Sequence, residues 1–124
     1  MKHGVRPQLV VCSNAVRAQQ TLQRVLPGLG EPAVWFEVTL YAAGAETLLA
    51  RVRALPDKVD EAMLVGHNPG LMELLLLLAA PGPLRERARG SVPTGALAKL
   101  EADVERWADV SPGGARLTEF VVPR

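Results

Sequence analysis

Three short apolar runs lie along the first half of the chain, with room for a helix between each pair. Gln8-Leu9-Val10-Val11-Cys12 is compact and rich in β-branched residues, and reads as a strand buried on both faces. Val34-Trp35-Phe36-Glu37-Val38 is interrupted by a charge, which suits a strand at a sheet edge. Ala62-Met63-Leu64-Val65 is a third buried strand. Between the first two, Ala15, Ala18, Leu22, Val25 and Leu26 recur at helical spacing, with Ser13-Asn14 as the predicted cap and Pro27-Gly28 as the stop. Between the second and third, Ala45 to Leu55 reads as an amphipathic helix with Leu48, Val52 and Leu55 inward and Arg51 and Arg53 outward, ended by Pro56. Asp57 to Glu61 is a charged loop.

Past the third strand, Gly66 allows a sharp turn, and Asn68-Pro69 reads as N-cap and first helical residue. The helix that follows is apolar round most of its circumference from Leu71 to Leu78, so it needs cover. Ala80 to Thr94 holds Pro81, Gly82, Pro83, Gly90 and Pro93 and is expected to be an irregular, mobile loop. Gly95 to Leu100 and Leu117 to Val122 read as two more strands. Trp107 and the turn Ser111-Pro112-Gly113-Gly114 between them suggest a hairpin-like excursion. Strands alternating with helices predict an α/β domain with a mostly parallel sheet. No repeat or linker divides the chain, so residues 1–124 are expected to form a single domain.

Composition narrows the function classes. Hydrophobic residues make up 48% of the chain and charged ones 22%, a soluble globular balance. The formal net charge is only +1, which gives no support to a nucleic-acid or membrane-surface role. The longest dense apolar run, Leu74 to Ala80, falls far short of the roughly 20 residues needed to cross a bilayer. Met1-Lys2-His3-Gly4-Val5-Arg6-Pro7 lacks the apolar core of a signal peptide, so the expected location is cytoplasmic. Cys12 is the only cysteine, which excludes an internal disulfide and a cysteine-built zinc site.

Candidate chemistry gathers where strands end. His67 sits at the strand-to-helix corner, where sites of open α/β sheets lie and where helix N–H groups favour an anion such as phosphate. A histidine there also serves simply to bond a loop. Arg17 lies in the first turn after the first strand and could fork onto two phosphate oxygens, or be a solvated helix arginine. Arg85, Arg87 and Arg89 could help hold an anionic substrate beside a phosphate site, but are read as solvated loop residues. Two histidines with no carboxylate at ligand spacing make a poor metal site, so no metal and no cofactor is expected.

Taken together, Cys12-Ser13-Asn14-Ala15-Val16-Arg17-Ala18-Gln19-Gln20-Thr21, Leu40-Tyr41-Ala42, Val65-Gly66-His67-Asn68-Pro69-Gly70-Leu71 and Pro93-Thr94-Gly95-Ala96 resemble the SixA-type phosphohistidine phosphatases of the histidine phosphatase superfamily. The order and spacing match across nearly the whole chain. The resemblance implies a three-layer α/β/α, phosphoglycerate mutase-like fold and hydrolysis through a covalent phosphohistidine. It also implies a phosphate pocket of two histidines and two arginines. Carried over by motif, Arg17 is the second arginine and His67 the second histidine, with Asn68 beside them in the phosphate-binding set. A phosphorylated protein carrying phosphohistidine, or a small phosphoester, is the implied partner.

The family opens with a strand ending in Arg-His-Gly or Arg-His-Ala, whose histidine is the nucleophile. Lys2-His3-Gly4 imitates those letters, but only two residues precede His3, and Val5-Arg6-Pro7-Gln8 is too short for a crossover between parallel strands. The expectation is therefore a sheet missing its first strand and helix, an incomplete active centre, and an exposed edge through which two copies could pair. Whether the chain is an enzyme stays open. Two readings stand: a SixA-like phosphatase domain, and a catalytically inactive phosphate- or phosphohistidine-binding module. A cysteine phosphatase built on Cys12 and Arg17 fits poorly, because the four residues Ser13 to Val16 are one short of the loop that wraps phosphate in such enzymes. Glu37, Glu46 and Glu61 are general-acid candidates without motif support.

Overall fold

Leu9–Ser13 forms β1, and every one of its five residues is buried. The computed structural model describes residues 6–41, 43–90 and 96–121. They fall into two compact units, one of Met1–Ala43 with Pro56–His67, the other of Gly44–Leu55 with Asn68–Arg124.

In the first unit β1 is the centre of a three-stranded parallel sheet, between β2 (Ala33–Glu37) and β3 (Ala62–Val65). Leu9 faces both Ala33 and Ala62, and Cys12 faces both Phe36 and Val65. A strand paired on both sides spends all its backbone groups in the ladder, which is why so apolar a run can be wholly enclosed. Val10, Val11 and Cys12 are 0% exposed, as the uninterrupted apolar pattern predicts. Gln8 ties the amino ends together: its side-chain oxygen accepts from the Asp60 and Glu61 N–H groups, and its backbone bonds Glu61 and Ala33. The helix α1 (Val16–Val25) follows β1 and buries Ala18 and Leu22. A one-turn 3₁₀ helix, Leu26–Gly28, stops it, and Gly30 at φ +81° turns the chain into β2. β2 lies at the sheet edge, as Glu37 suggests, and leaves Trp35 and Phe36 exposed.

The second unit holds α2 (Ala45–Arg53), α3 (Gly70–Leu78), α4 (Pro83–Gly90) and an antiparallel pair, β4 (Leu97–Ala102) with β5 (Ala115–Val121). Leu48, Val52 and Leu55 are buried, matching the inward face read from their spacing. The very apolar α3 is covered by α2 and α4, and the Leu76 and Leu77 carbonyls accept from Arg85 and Gly113. Leu75, Ala88 and Phe120 form a core cluster with Leu84, Ala98, Leu100 and Leu117 packed round it. The 103–114 connection holds a 3₁₀ turn, Trp107–Asp109, and a reversal at Gly113.

The fold is thus α/β with a parallel sheet, and two local readings are corrected. Residues 83–90 are not an irregular loop but the helix α4. Pro83 sits at its first position, where a missing N–H costs nothing, and Leu84 to Arg89 are all good helix formers anchored by the fully buried Ala88. Its arginines are tied into the same unit. Arg85 bonds the Leu76 carbonyl, Arg87 lies 5.5 Å over the Phe120 ring, and Arg89 is 3.6 Å from Glu86. The helix caps also differ. Ala15 and Pro69, not Asn14 and Asn68, occupy the N-cap positions of α1 and α3, because Ser13 still belongs to β1 and Pro69 lies just outside the helix. Pro93, Thr94 and Gly95, like Met1 to Val5 and Ala42, lie outside the described residues.

Leu22→Ala should lower the free energy of unfolding by about 2–5 kcal/mol, through lost burial plus the cavity it leaves. Gln23→Ala, exposed on the same helix, should change it by less than about 0.5 kcal/mol. Urea denaturation of the two variants separates packing from helix propensity; equal losses would refute the assignment of the buried face.

Candidate functional site

Side chains that leave the carboxyl ends of neighbouring parallel strands converge, and β1 and β3 are such neighbours. β1 ends in Ser13, which is 0% exposed and the only buried polar residue among those described. β3 ends at Val65, and His67 follows two residues later, half-buried. Ser13 Oγ lies 2.9 Å from His67 Nε2 and accepts a hydrogen bond from the Ala15 N–H at 3.2 Å. On another side the Tyr41 ring meets the imidazole edge-to-face, with centroids 5.2 Å apart at 73°. Such aromatic pairs favour this T-shaped arrangement. Tyr41 itself is 63% exposed, so it bounds the site from the solvent side.

Arg17 projects from the first turn of α1, four residues beyond Ser13. Among the described residues its guanidinium makes no hydrogen bond or ion pair, while its backbone carbonyl accepts from the Thr21 hydroxyl at 3.0 Å. The sheet therefore brings Ser13, Tyr41 and His67 into one cluster and sets Arg17, exposed, beside the exit of the same strand. Asn68 belongs to the second unit; its side-chain oxygen accepts from the Met72 N–H at 3.3 Å, stitching the first turn of α3.

Of the candidate acids, Glu37 closes β2 on the same rung as Ser13, at the carboxyl end of the sheet. Paired strands run about 4.8 Å apart, so Glu37 is placed beside the cluster. Glu61 lies at the opposite, amino end of β3 and accepts from the Arg6 N–H at 2.8 Å, which removes it from consideration. Glu46 lies in the first turn of α2, in the second unit. Cys12 is wholly buried, its thiol donates to the Ser13 carbonyl at 3.2 Å, and burial pushes its pKa up. That is the reverse of what a thiolate nucleophile needs.

The sequence singled out His67 and Arg17 and missed the role of Ser13, which spacing presented as a helix cap. Tyr41 carried no signal beyond its place in the motif. Val16, Phe36 and Val38 are further exposed apolar residues of the same unit.

No family model matches the chain. An uncharacterised Mycobacterium tuberculosis protein is 37% identical over 119 residues, covering 93% of this chain and 73% of that protein. An uncharacterised Mycobacterium leprae protein is 31% identical over 118 residues, covering 93% and 71%. Among solved structures, a Nakamurella multipartitia protein assigned as phosphohistidine phosphatase SixA superposes with a TM-score of 0.85 at 28% identity, covering 98% of this chain and 74% of that one. A second such SixA assignment, from Agrobacterium tumefaciens, gives 0.76 at 29% identity, covering 96% and 70%. The fold is of the phosphoglycerate mutase-like α/β class. Within that class, the chain belongs to one family with these mycobacterial proteins, and its structural neighbours are SixA-assigned phosphohistidine phosphatases of the histidine phosphatase superfamily. No helix among the described residues is long and apolar enough to cross a membrane.

The raised Cys12 pKa means the fold holds its proton more tightly than the open chain does. The stability this lends is fully present below the ordinary thiol pKa of about 8.5 and fades above it. Iodoacetamide at pH 8 should label the native protein far more slowly than the urea-unfolded chain. Labelling at the rate of a free thiol in the native state would restore Cys12 as a candidate nucleophile.

Proposed function

We propose that the carboxyl end of the parallel sheet binds a phosphoryl group, with Arg17 and His67 as its donors, and with Asn68, next to His67 in the chain, kept in the phosphate-binding set by the motif alone, and that the domain hydrolyses phosphohistidine or a small phosphoester. The observation that carries this reading is the close superposition on SixA-assigned structures, together with His67 and Arg17 at the exits of adjacent strands. Phosphoryl transfer needs little covalent help from a protein. Positioning and neutralisation of charge over the equatorial oxygens supply most of the rate. An arginine without a competing carboxylate is well suited to fork onto two of those oxygens. A phosphohistidine substrate fits because its leaving imidazole departs readily near neutral pH. Where a small phosphoester is the substrate, Glu37, on the rung of Ser13, is the candidate acid for the leaving oxygen in this reading.

A second reading, a module that binds the phosphoryl group without turning it over, draws on the same geometry. The Nε2 atom of His67 is engaged by Ser13, and the Cys12 thiol is sealed in the core. Neither is available as a nucleophile. His3, the other histidine of the sequence, lies outside the described residues. Cytoplasmic location, a single domain and pairing of two copies through a sheet edge belong to this proposal as expectations from the sequence.

Phosphate release from a phosphohistidine peptide and from para-nitrophenyl phosphate, compared with Arg17→Ala and His67→Ala, tests the reading. Turnover abolished by both substitutions supports the phosphatase. Absence of turnover, with vanadate binding weakened roughly ten- to hundredfold by Arg17→Ala, supports the binding module, since a charge-assisted bond of that kind is lost. Vanadate binding indifferent to both substitutions sinks both readings.

A further inference from the structure

We infer that Ser13 is a positioning residue: its buried hydroxyl donates to His67 Nε2, fixes the imidazole as the Nδ1–H tautomer, and so presents Nδ1–H as the donor to a phosphoryl oxygen. This rests on the phosphoryl reading of the site and goes beyond it by assigning the atom that acts.

The assignment follows from counting. A serine hydroxyl has one proton to give and two lone pairs to receive with. One lone pair of Ser13 Oγ is taken by the Ala15 N–H. Among the described residues the only other partner of Oγ is His67 Nε2, at 2.9 Å. If Nε2 carried the proton, it would fill the second lone pair and the hydroxyl proton would be left without an acceptor. Ser13 is 0% exposed, so no bulk water could take it. If the hydroxyl donates to Nε2, every group is satisfied. A neutral imidazole that accepts at Nε2 carries its proton on Nδ1.

Nδ1 makes no hydrogen bond among the described residues, while His67 as a whole is half-buried. The ring is thus anchored through Nε2, braced edge-to-face by Tyr41, and left with one unengaged donor. A donor held in this way loses little freedom when an anion arrives, which is what makes preorganised hydrogen bonds effective at a developing charge. The same anchoring keeps Nε2 from attacking phosphorus, so His67 serves as a donor and not as the nucleophile.

Long-range ¹H–¹⁵N correlation spectra of the uniformly ¹⁵N-labelled chain report which ring nitrogen is protonated. His67→Gln identifies the His67 signals, since His3 is the only other histidine. The expected result is a neutral His67 protonated at Nδ1 in the parent chain. In Ser13→Ala the proton should redistribute towards Nε2, the form a free neutral imidazole prefers in water, and phosphate or vanadate affinity should fall roughly fivefold, the usual effect of one neutral hydrogen bond. A parent His67 protonated at Nε2, or a tautomer unmoved in Ser13→Ala, overturns the proposal. The parent spectrum alone decides the tautomer, so a Ser13→Ala chain that fails to fold does not shield it. A parent that shows Nδ1–H yet binds neither phosphate nor vanadate overturns the positioning role through failure of the phosphoryl reading, an outcome distinct from a wrong tautomer.

Discussion

The first unit depends on the complete enclosure of β1. A strand hydrogen-bonded along both edges and covered on both faces has no solvent-exposed group left, and the five residues Leu9–Ser13 are accordingly all buried. Four of them are apolar or nearly so, and burial suits them. The fifth is a serine. A hydroxyl removed from water must find partners inside the protein or cost several times what it contributes. That requirement draws the Ala15 N–H and the His67 ring onto one oxygen. The chain's most enclosed element therefore specifies where its most chemically active loop residue goes. The same enclosure explains why Cys12, one residue earlier, is chemically quiet.

Much of this frame is legible from residue pattern alone. The β-branched run of β1, the edge character that Glu37 gives to β2, and the helical spacing of Leu48, Val52 and Leu55 each report a local fact, namely which faces are apolar and at what period. Burial then follows that period. What depends on pairing is not legible in this way. Ser13 after an apolar strand and before a helical run has the form of an N-cap, and only the placement of β3 beside β1 reveals that its hydroxyl is spent on a residue 54 positions away. Likewise nothing in the letters places Glu37 on the rung of Ser13, or Glu61 at the opposite end of the sheet; strand register decides both.

The misreading of residues 83–90 has a different cause. Proline and glycine are strong punctuation on average, and five of them between Ala80 and Thr94 outweigh the propensities of the residues between them. Yet a proline at the first helical position starts a helix as readily as it ends one. One small residue, Ala88, placed against Leu75 and Phe120, is enough to fix the segment. The arginines that look like a solvated loop then acquire structural tasks: one reaches a carbonyl at the end of α3, one covers an aromatic face, one pairs with Glu86.

The two donors of the proposed site differ in how they are held, and the difference bears on mechanism. Arg17 stands on the exposed side of α1 without a partner among the described residues, so its long side chain keeps rotamer freedom that must be given up when it closes on an anion. His67 has already lost its freedom to Ser13 and Tyr41. An anion arriving here meets one fixed donor and one that adapts. The fixed donor sets the position of the phosphoryl group relative to the sheet, because its geometry is determined by β1. The adaptable one neutralises charge over a range of phosphate orientations, because a guanidinium fork tolerates approach from several directions. A site divided in this way discriminates poorly between the groups attached to phosphorus but strongly for the phosphoryl group itself. Specificity for one substrate of the proposed site then has to come from outside the two donors.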